Sequence, residues 1–244
     1  MPSDSVRDGE VLFRAYINQR PDLSAEFEAS SGSRKPDFTV DGPDGPAICE
    51  IYSPELILRN RSGSFDAFKP VNGAFKSRKR AQGAKAKNEG VPYVVVVSSA
   101  NSDVALAEFE LFVGAFGRKR PLRNGQNTRF SAIAAIRRFN PTLHRLQRET
   151  RQRLPPKPSL EQAWSVVTDV EGELTKAGDF DPSAAVARLQ VIHNPWAANP
   201  LPEGYFGGPH DEQFRLRLDT EPTTMERFWT GWRIHEVPDD DQYG

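Results

Sequence analysis

The pattern of apolar and polar residues along the chain predicts an α/β protein. Residues 91–99 (VPYVVVVSS) form an uninterrupted β-branched run, which is typical of a central strand buried on both faces. Further strands are predicted over 37–40, 47–52, 130–139 and 187–193, and helical spacing of apolar residues predicts helices over 9–19, 72–88, 102–116 and 159–176. We therefore expect a mixed central β-sheet flanked by helices.

Two clusters of turn-forming residues separate these elements. The sequence DGPDGP at 41–46 lies between two predicted strands and favours a hairpin, whose second strand is expected to start at or after Pro46 because proline donates no ladder hydrogen bond. The stretch 194–210 is rich in Pro, Gly and Asn and is predicted to be a loop. Its aromatic residues Trp196 and Phe206 either stack on nucleic-acid bases or, as we expect, pack against the sheet.

Composition excludes several classes of protein. The chain of 244 residues has one cysteine, Cys49, so neither a disulfide framework nor a four-cysteine zinc site is expected. No apolar run is long enough for a membrane span, and the N-terminus lacks the layout of a secretion signal. We expect a soluble cytoplasmic protein that forms a single α/β domain over 1–244.

The net charge of −1 conceals a strong segregation of charge along the chain. Residues 59–87 contain nine Lys or Arg and one acidic residue, and residues 118–157 contain twelve Lys or Arg and one acidic residue. Residues 158–244 reverse this balance, with six Lys or Arg and sixteen acidic residues. The basic segments could present a positive surface to phosphates, or they could be solvated helix faces. The residues expected to contact nucleic acid are Arg59, Arg61, Arg78, Arg80, Lys85 and Lys87.

The first predicted hairpin brings two carboxylates together. With its turn centred between Pro43 and Asp44, positions that sum to 87 face each other, so Asp37 lies opposite Glu50. Directly opposed like charges are destabilising, and a shared proton, a nearby cation or a metal ion must offset them. Hard oxygen ligands suit Mg²⁺ or Mn²⁺. The alternative is a turn shifted by one residue, with both carboxylates in solvent. On the other face of the hairpin, Cys49 is expected to point into the core.

The same residues resemble the core of the PD-(D/E)XK nuclease superfamily, which has a restriction-endonuclease-like fold. The resemblance rests on RKPDFTV at 34–40, AICEIY at 47–52 and the order helix, hairpin, helix, strand over 10 to about 100. It implies a nuclease-like core over about 10–140, with a C-terminal extension over 141–244 packing on the same sheet. It also implies divalent-metal ligands at Asp37, Glu50 and the Ile51 carbonyl. The first helix offers Glu10 as a further ligand, although Glu10 equally suits a helix N-terminus.

One position departs from the superfamily pattern. Tyr52 stands two residues after Glu50, where the superfamily usually has a lysine that stabilises charge on the reacting phosphate. Some members place this lysine on the following helix, and we expect Lys79, then Lys76, in that role. These lysines could instead contact phosphates or be solvated.

The resemblance implies a Mg²⁺- or Mn²⁺-dependent endonuclease that hydrolyses phosphodiester bonds, with DNA as the favoured substrate. Because Tyr52 replaces the lysine, a degenerate nuclease fold that binds nucleic acid or a protein without cleavage is the alternative. A further alternative is an assembly subunit that docks through its acidic C-terminal third. A homodimer or a protein partner is compatible with each of these functions.

Overall fold

The computed structural model describes residues 4–27, 37–52, 86, 89–98, 128, 130–217 and 224–230. The predicted helix over 102–116 and almost all of the predicted helix over 72–88 lie outside these residues. Within them, three helices are present: α1 (Asp4–Asn18), α2 (Pro141–Arg153) and α3 (Leu160–Lys176). None of the helices described is long and apolar enough to cross a membrane.

The sheet has eight strands that neighbour one another in chain order. The strands are β1 (Ser24–Phe27), β2 (Phe38–Gly42), β3 (Gly45–Tyr52), β4 (Tyr93–Ser98), β5 (Ala132–Phe139), β6 (Val186–His193), β7 (Glu212–Arg217) and β8 (Thr224–Thr230). Strands β1, β2 and β3 are antiparallel, β3, β4 and β5 are parallel, β6 is parallel to β7, and β8 is antiparallel to β7. The predicted mixed sheet of an α/β protein is therefore confirmed.

Three features of the sheet differ from the sequence-based expectation. Strand β1 was not predicted from the sequence, and neither were strands β7 and β8. Strand β3 begins at Gly45, one residue before Pro46, so the expected start was slightly wrong. Pro46 is exposed at the second position of the strand, where a missing N–H is tolerated.

Each face of the sheet carries its own apolar cluster. The first cluster, called the α1 face here, contains the buried side of α1 together with Phe38, Val40, Ala47, Cys49, Ile51, Val94 and Val96. The second cluster, called the Glu50 face because that residue points to the same side, contains Ile48, Ala86, Tyr93, Val95, Val97, Ile133, Ile192 and Phe214. Every residue of β4 is buried, which confirms the prediction of a strand covered on both faces.

The chain divides into two compact units. Residues 1–137 and 187–244 form the first, which contains α1 and most of the sheet, and residues 138–186 form the second, called the helical unit here. In the helical unit, α2 begins at Pro141 after an Asn140 side chain that accepts hydrogen bonds from the N–H groups of Thr142 and Leu143. The single domain expected over 1–244 stays a prediction.

Candidate metal and catalytic site

The register of the β2–β3 hairpin is the one that the sequence predicts. Phe38 pairs with Cys49 and Val40 pairs with Ala47, so paired positions sum to 87. Asp37 directly precedes β2 and is therefore opposite Glu50 in the same register. The alternative turn, shifted by one residue, is excluded.

Two features hold the hairpin in this register. Gly45 has a φ of +100°, a left-handed conformation that glycine adopts without the steric cost of a Cβ atom. The hydroxyl oxygen of Tyr205 lies 2.7 Å from the carbonyl oxygen of Val40 and 2.8 Å from that of Gly45. The 194–210 loop thus contacts both strands of the hairpin at the turn.

Asp37 is bound to the neighbouring strand by its side chain. Its Oδ2 atom accepts a hydrogen bond of 2.7 Å from the backbone N–H of Ile51, and the residue is half-buried. The bond holds the Asp37 carboxylate against β3, beside the residue that follows Glu50. A charge-assisted hydrogen bond of this kind is stronger than one between neutral groups.

Glu50 is almost completely buried, with an exposed fraction of 6%. It pairs in the parallel ladder with Val95 of β4 and shares its sheet face with Ile48 and Tyr52. Burying an ionised carboxylate in apolar surroundings is costly unless a cation or hydrogen-bond donors compensate. An ionised Glu50 therefore requires a cation or hydrogen-bond donors beside its carboxylate.

Cys49 lies between the two carboxylates in sequence but points to the opposite face of the sheet. Its side chain is fully buried in the α1-face cluster, as expected. Burial raises the pKa of the Cys49 thiol, and the negative charges of Asp37 and Glu50 raise it further. The thiol is thereby kept protonated, which makes it a packed apolar group and a poor nucleophile.

The other candidates from this part of the sequence lie in different places. Tyr52 is half-buried at the end of β3 and packs against the Glu50-face cluster. Ile51 is buried on the α1 face, and its backbone contacts Asp37. Glu10 lies on α1, whose buried side chains pack on the face opposite Glu50.

No three acidic, histidine or cysteine side chains form a metal-binding group within the described part of the chain. The structure thus puts Asp37 and Glu50 at opposed positions of the hairpin, whereas Glu10 lies on a helix that packs on the other face of the sheet. The sequence shows that α1 is amphipathic, but it does not show which face of the sheet the helix covers.

The basic candidates lie outside the described residues: Lys76, Lys79, Arg59, Arg61, Arg78, Arg80, Lys85 and Lys87. The end of the helix predicted over 72–88 is nevertheless defined. Ala86 is helical and buried on the Glu50 face, and its carbonyl accepts a hydrogen bond of 3.0 Å from Val91 N–H. Gly90 has a φ of +73°, so the helix ends in a Schellman motif close to the predicted position.

Two asparagines of the 194–210 loop hold neighbouring parts of the backbone in place, a role that was not predicted from the sequence. The Asn199 Nδ2 atom donates to the carbonyls of Ala86 (3.1 Å) and Val91 (3.2 Å), while Asn194 Nδ2 donates to the Phe130 carbonyl (2.7 Å). The loop therefore fixes the end of the helix before β4 and the start of β5. The only sequence signal was the repeated Asn-Pro dipeptide at 194–195 and 199–200.

The aromatic residues of the same loop pack against the protein, as we expected. Phe206 and Tyr205 are buried in the α1-face cluster. Trp196 is half-buried and packs against the Glu50-face cluster. Base stacking by Phe206 is excluded by this burial.

A buried ion pair also lies on the Glu50 face. The Arg188 guanidinium forms an ion pair with Glu212, and Gln190 Nε2 donates a hydrogen bond of 2.5 Å to the same carboxylate. Each of these three residues is less than 5% exposed. This group explains why β6 and β7 contain buried polar residues, and it compensates the charge of Glu212 within the fold.

Comparisons of the chain with family models, curated proteins and solved structures find no match.

Proposed function

We propose that the protein is a Mg²⁺- or Mn²⁺-dependent nuclease of the cytoplasm that hydrolyses phosphodiester bonds, with DNA as the favoured substrate. The observation that carries the proposal is the register of the first hairpin, which puts Asp37 opposite the buried Glu50. The order of α1, hairpin, helix end and parallel strand β4 also agrees with the order in the PD-(D/E)XK superfamily.

The donor atoms at this position fit a hard divalent cation. Two carboxylates from adjacent strands, with the Ile51 carbonyl as a third oxygen, leave the remaining positions to water, which Mg²⁺ commonly retains in proteins. When bound, the ion would polarise the phosphate and lower the pKa of a coordinated water. The hydrogen bond from Ile51 N–H fixes the Asp37 carboxylate before any ion arrives.

The remaining roles in the proposed reaction are assigned to Tyr52, Lys79 and Lys76. The Tyr52 hydroxyl can orient a water by hydrogen bonding, but it cannot supply positive charge. We assign that charge to Lys79, which precedes the buried Ala86 by seven residues, so a continuous helix of about 3.6 residues per turn would place both on one face. Lys76 is the second candidate, and the basic residues of 59–87 would contact the phosphate backbone without reading sequence.

Plasmid nicking in the presence of Mg²⁺ or Mn²⁺ tests the proposal. Asp37→Asn keeps an oxygen that can accept the Ile51 N–H but removes the charge, and Glu50→Gln does the same for Glu50. We expect either change to lower the cleavage rate roughly 100-fold or more. Asp44→Asn, in the exposed turn of the same hairpin, is the matched control and should cleave as the wild type does. A wild-type protein that fails to cleave the plasmid in the presence of either Mg²⁺ or Mn²⁺ would contradict the proposal.

A second candidate function is nucleic-acid binding without cleavage. It is favoured by Tyr52, which occupies the position of the superfamily lysine and packs against an apolar cluster. This function predicts that the wild type binds DNA without cutting it, and that binding survives Asp37→Asn and Glu50→Gln. The nuclease proposal predicts cleavage by the same wild-type preparation, so one assay separates the two.

A further inference from the structure

Helix α2 carries an excess of positive charge. It contains a single acidic residue, Glu149, and four arginines: Arg145, Arg148, Arg151 and Arg153. The helix belongs to the segment 118–157, which has twelve basic residues and one acidic residue. The structure divides the four arginines into two pairs that have different surroundings.

The first pair, Arg145 and Arg153, forms ion pairs inside the helical unit. The Arg145 guanidinium donates hydrogen bonds of 2.8 Å to Glu149 and to Asp179, which follows α3. The Arg153 guanidinium forms an ion pair of 2.7 Å with Glu173 of α3. The charges of these two arginines are therefore balanced by acidic residues of the fold.

The second pair, Arg148 and Arg151, has different surroundings. Both side chains are exposed, and neither forms an ion pair within the described part of the chain. They lie about 160° and about 100° around the helix from Thr150, which is the buried residue of α2. A basic residue in the last turn of a helix stabilises the helix dipole, which accounts for Arg151 but not for Arg148, since Arg148 lies before that turn.

Two glutamines extend the surface around the second pair. Gln147 and Gln152 are exposed, and with Arg148 and Arg151 they lie within an arc of about 140° of α2, called the basic surface here. None of these four side chains is acidic or apolar. The centre of a protein–protein interface is apolar and depleted in charge, which does not match this surface. Arginine and glutamine do contact phosphate oxygens, and arginine can do so with two parallel hydrogen bonds.

We propose that the basic surface binds the phosphate backbone of DNA, in addition to the contacts proposed for the basic residues of 59–87. The choice of DNA as the partner rests on the proposed nuclease function. The rise along the helix from Arg148 to Arg151 is about 4.5 Å, and successive phosphates of one strand are about 3.4 Å apart along the duplex axis. The two guanidiniums can therefore contact neighbouring phosphates. Such contacts increase affinity without reading sequence.

The salt dependence of DNA binding by the full chain tests this proposal. The measurement is the fluorescence anisotropy of a labelled duplex of about 20 base pairs, in EDTA so that no metal-dependent cleavage occurs, over about 50 to 400 mM salt. The double variant Arg148→Gln/Arg151→Gln should lower the slope of log affinity against log salt by about 2 and raise the dissociation constant roughly 10- to 100-fold at about 0.1 M salt. A wild type that does not bind the duplex, or a double variant with the wild-type slope, would overturn the proposal.

The first pair of arginines provides a control that is matched in charge. Arg145→Gln/Arg153→Gln removes the same two charges from the same helix, but these arginines are already paired with acidic residues. The dissociation constant should then rise by less than about fivefold, with a slope close to that of the wild type. Surface ion pairs contribute up to about 1 kcal/mol each, so the helical unit should stay folded, which circular dichroism checks. Equal effects of the two double variants would show that only net charge matters, and would overturn the basic surface.

A charge-retaining variant separates lost charge from lost folding. Arg148→Lys/Arg151→Lys keeps both positive charges, so its salt dependence should have the slope of the wild type. If this variant instead loses as much affinity and slope as Arg148→Gln/Arg151→Gln, phosphate contacts are not the cause and the proposal is wrong.

Two further measurements separate this proposal from its alternatives. Nicking assays on the same preparations distinguish it from the nuclease proposal: a wild type that binds DNA through Arg148 and Arg151 without nicking it supports the basic surface and contradicts only the nuclease. A wild type that nicks DNA, with binding unchanged by Arg148→Gln/Arg151→Gln, contradicts only the basic surface. Competition with polyglutamate tests the class of partner, and we expect it to displace the labelled duplex far less well than unlabelled DNA of equal charge. Equal competition would favour an acidic protein as the partner and overturn the assignment to DNA.

Discussion

Tyr16 of α1 and Asp211 of the last described loop are joined by a buried hydrogen bond of 2.6 Å, from the tyrosine hydroxyl to Asp211 Oδ2. The same carboxylate accepts hydrogen bonds of 2.7 Å from the N–H groups of Gly208 and Leu189, and Arg20 donates to the Tyr16 hydroxyl at 3.0 Å. The contact connects positions that are 195 residues apart. It fixes α1, β6 and the loop before β7 to one another.

Tyr16→Phe should destabilise the fold. The change removes one donor from a carboxylate that is 1% exposed, and we expect the free energy of unfolding in urea to fall by about 1–3 kcal/mol. Val11→Ala, at an exposed position of the same helix, should change it by less than about 0.5 kcal/mol. Tyr16→Phe should lower the free energy of unfolding by less when Asp211→Asn is also present, because the buried charge is then gone. An equal loss of stability with and without Asp211→Asn would contradict this account.

The Asp211 carboxyl also predicts a pH dependence of stability. Burial raises its pKa to about 6, although the hydrogen bonds from Tyr16, Leu189 and Gly208 and the charge of Arg20 oppose the rise. The folded state therefore binds this proton more tightly than the unfolded chain, and stability should fall as pH rises from about 4 to about 6.

The measurement is the difference in unfolding free energy between the wild type and Asp211→Asn, taken at both ends of this range. We expect the wild type to lose roughly 2–3 kcal/mol relative to the variant as pH rises. Residues that titrate in both proteins, such as His193 and His210, cancel in the difference. Parallel pH profiles would show that the pKa of Asp211 is not raised.

Lys79→Ala should impair cleavage more than Lys76→Ala. Because Lys79 is assigned to stabilise charge on the reacting phosphate, its removal should lower the rate constant for nicking roughly 100-fold and leave Mn²⁺ affinity unchanged. Lys76→Ala should have an effect below about tenfold, and Lys79→Arg should recover part of the rate. If Lys76→Ala has the larger effect, the assignment is wrong and Lys76 stabilises the charge on the reacting phosphate instead of Lys79.

Asn199→Ala should lower both stability and cleavage. The change removes the hydrogen bonds to the carbonyls of Ala86 and Val91 at the end of the helix that precedes β4, at a cost of about 1–2 kcal/mol. Asn194→Ala is the matched control, because that side chain bonds to Phe130 before β5. We expect similar losses of stability from both changes, but a lower cleavage rate per folded molecule only for Asn199→Ala. Equal cleavage rates per folded molecule for the two variants would show that the end of the helix before β4 does not position the site.

The sequence was most informative where local rules determine structure. The DGPDGP turn and the alternation of side chains on either side of it were sufficient to predict which residue lies opposite Asp37. The run VPYVVVVSS was sufficient to predict a strand buried on both faces. In both cases the geometry follows from neighbours in the chain.

The elements that were missed depend on contacts distant in sequence. Strand β1 is mostly exposed and has no alternating apolar pattern. Strand β7 places the buried polar residues Glu212 and Gln213 where a core strand would normally have apolar ones, and Arg188 on the neighbouring strand compensates Glu212. The role of Asn199 depends on carbonyls more than 100 residues away, which local patterns do not indicate.

The central claim is that Asp37 and Glu50 together hold a divalent cation. The most direct measurement is the anomalous difference density of a crystal soaked in manganese, compared with a crystal of the Glu50→Gln variant soaked in the same way. We predict a single peak within about 2.3 Å of an oxygen from each carboxylate in the wild type and none in the variant. A wild-type map with both side chains ordered and no peak between them would contradict the claim.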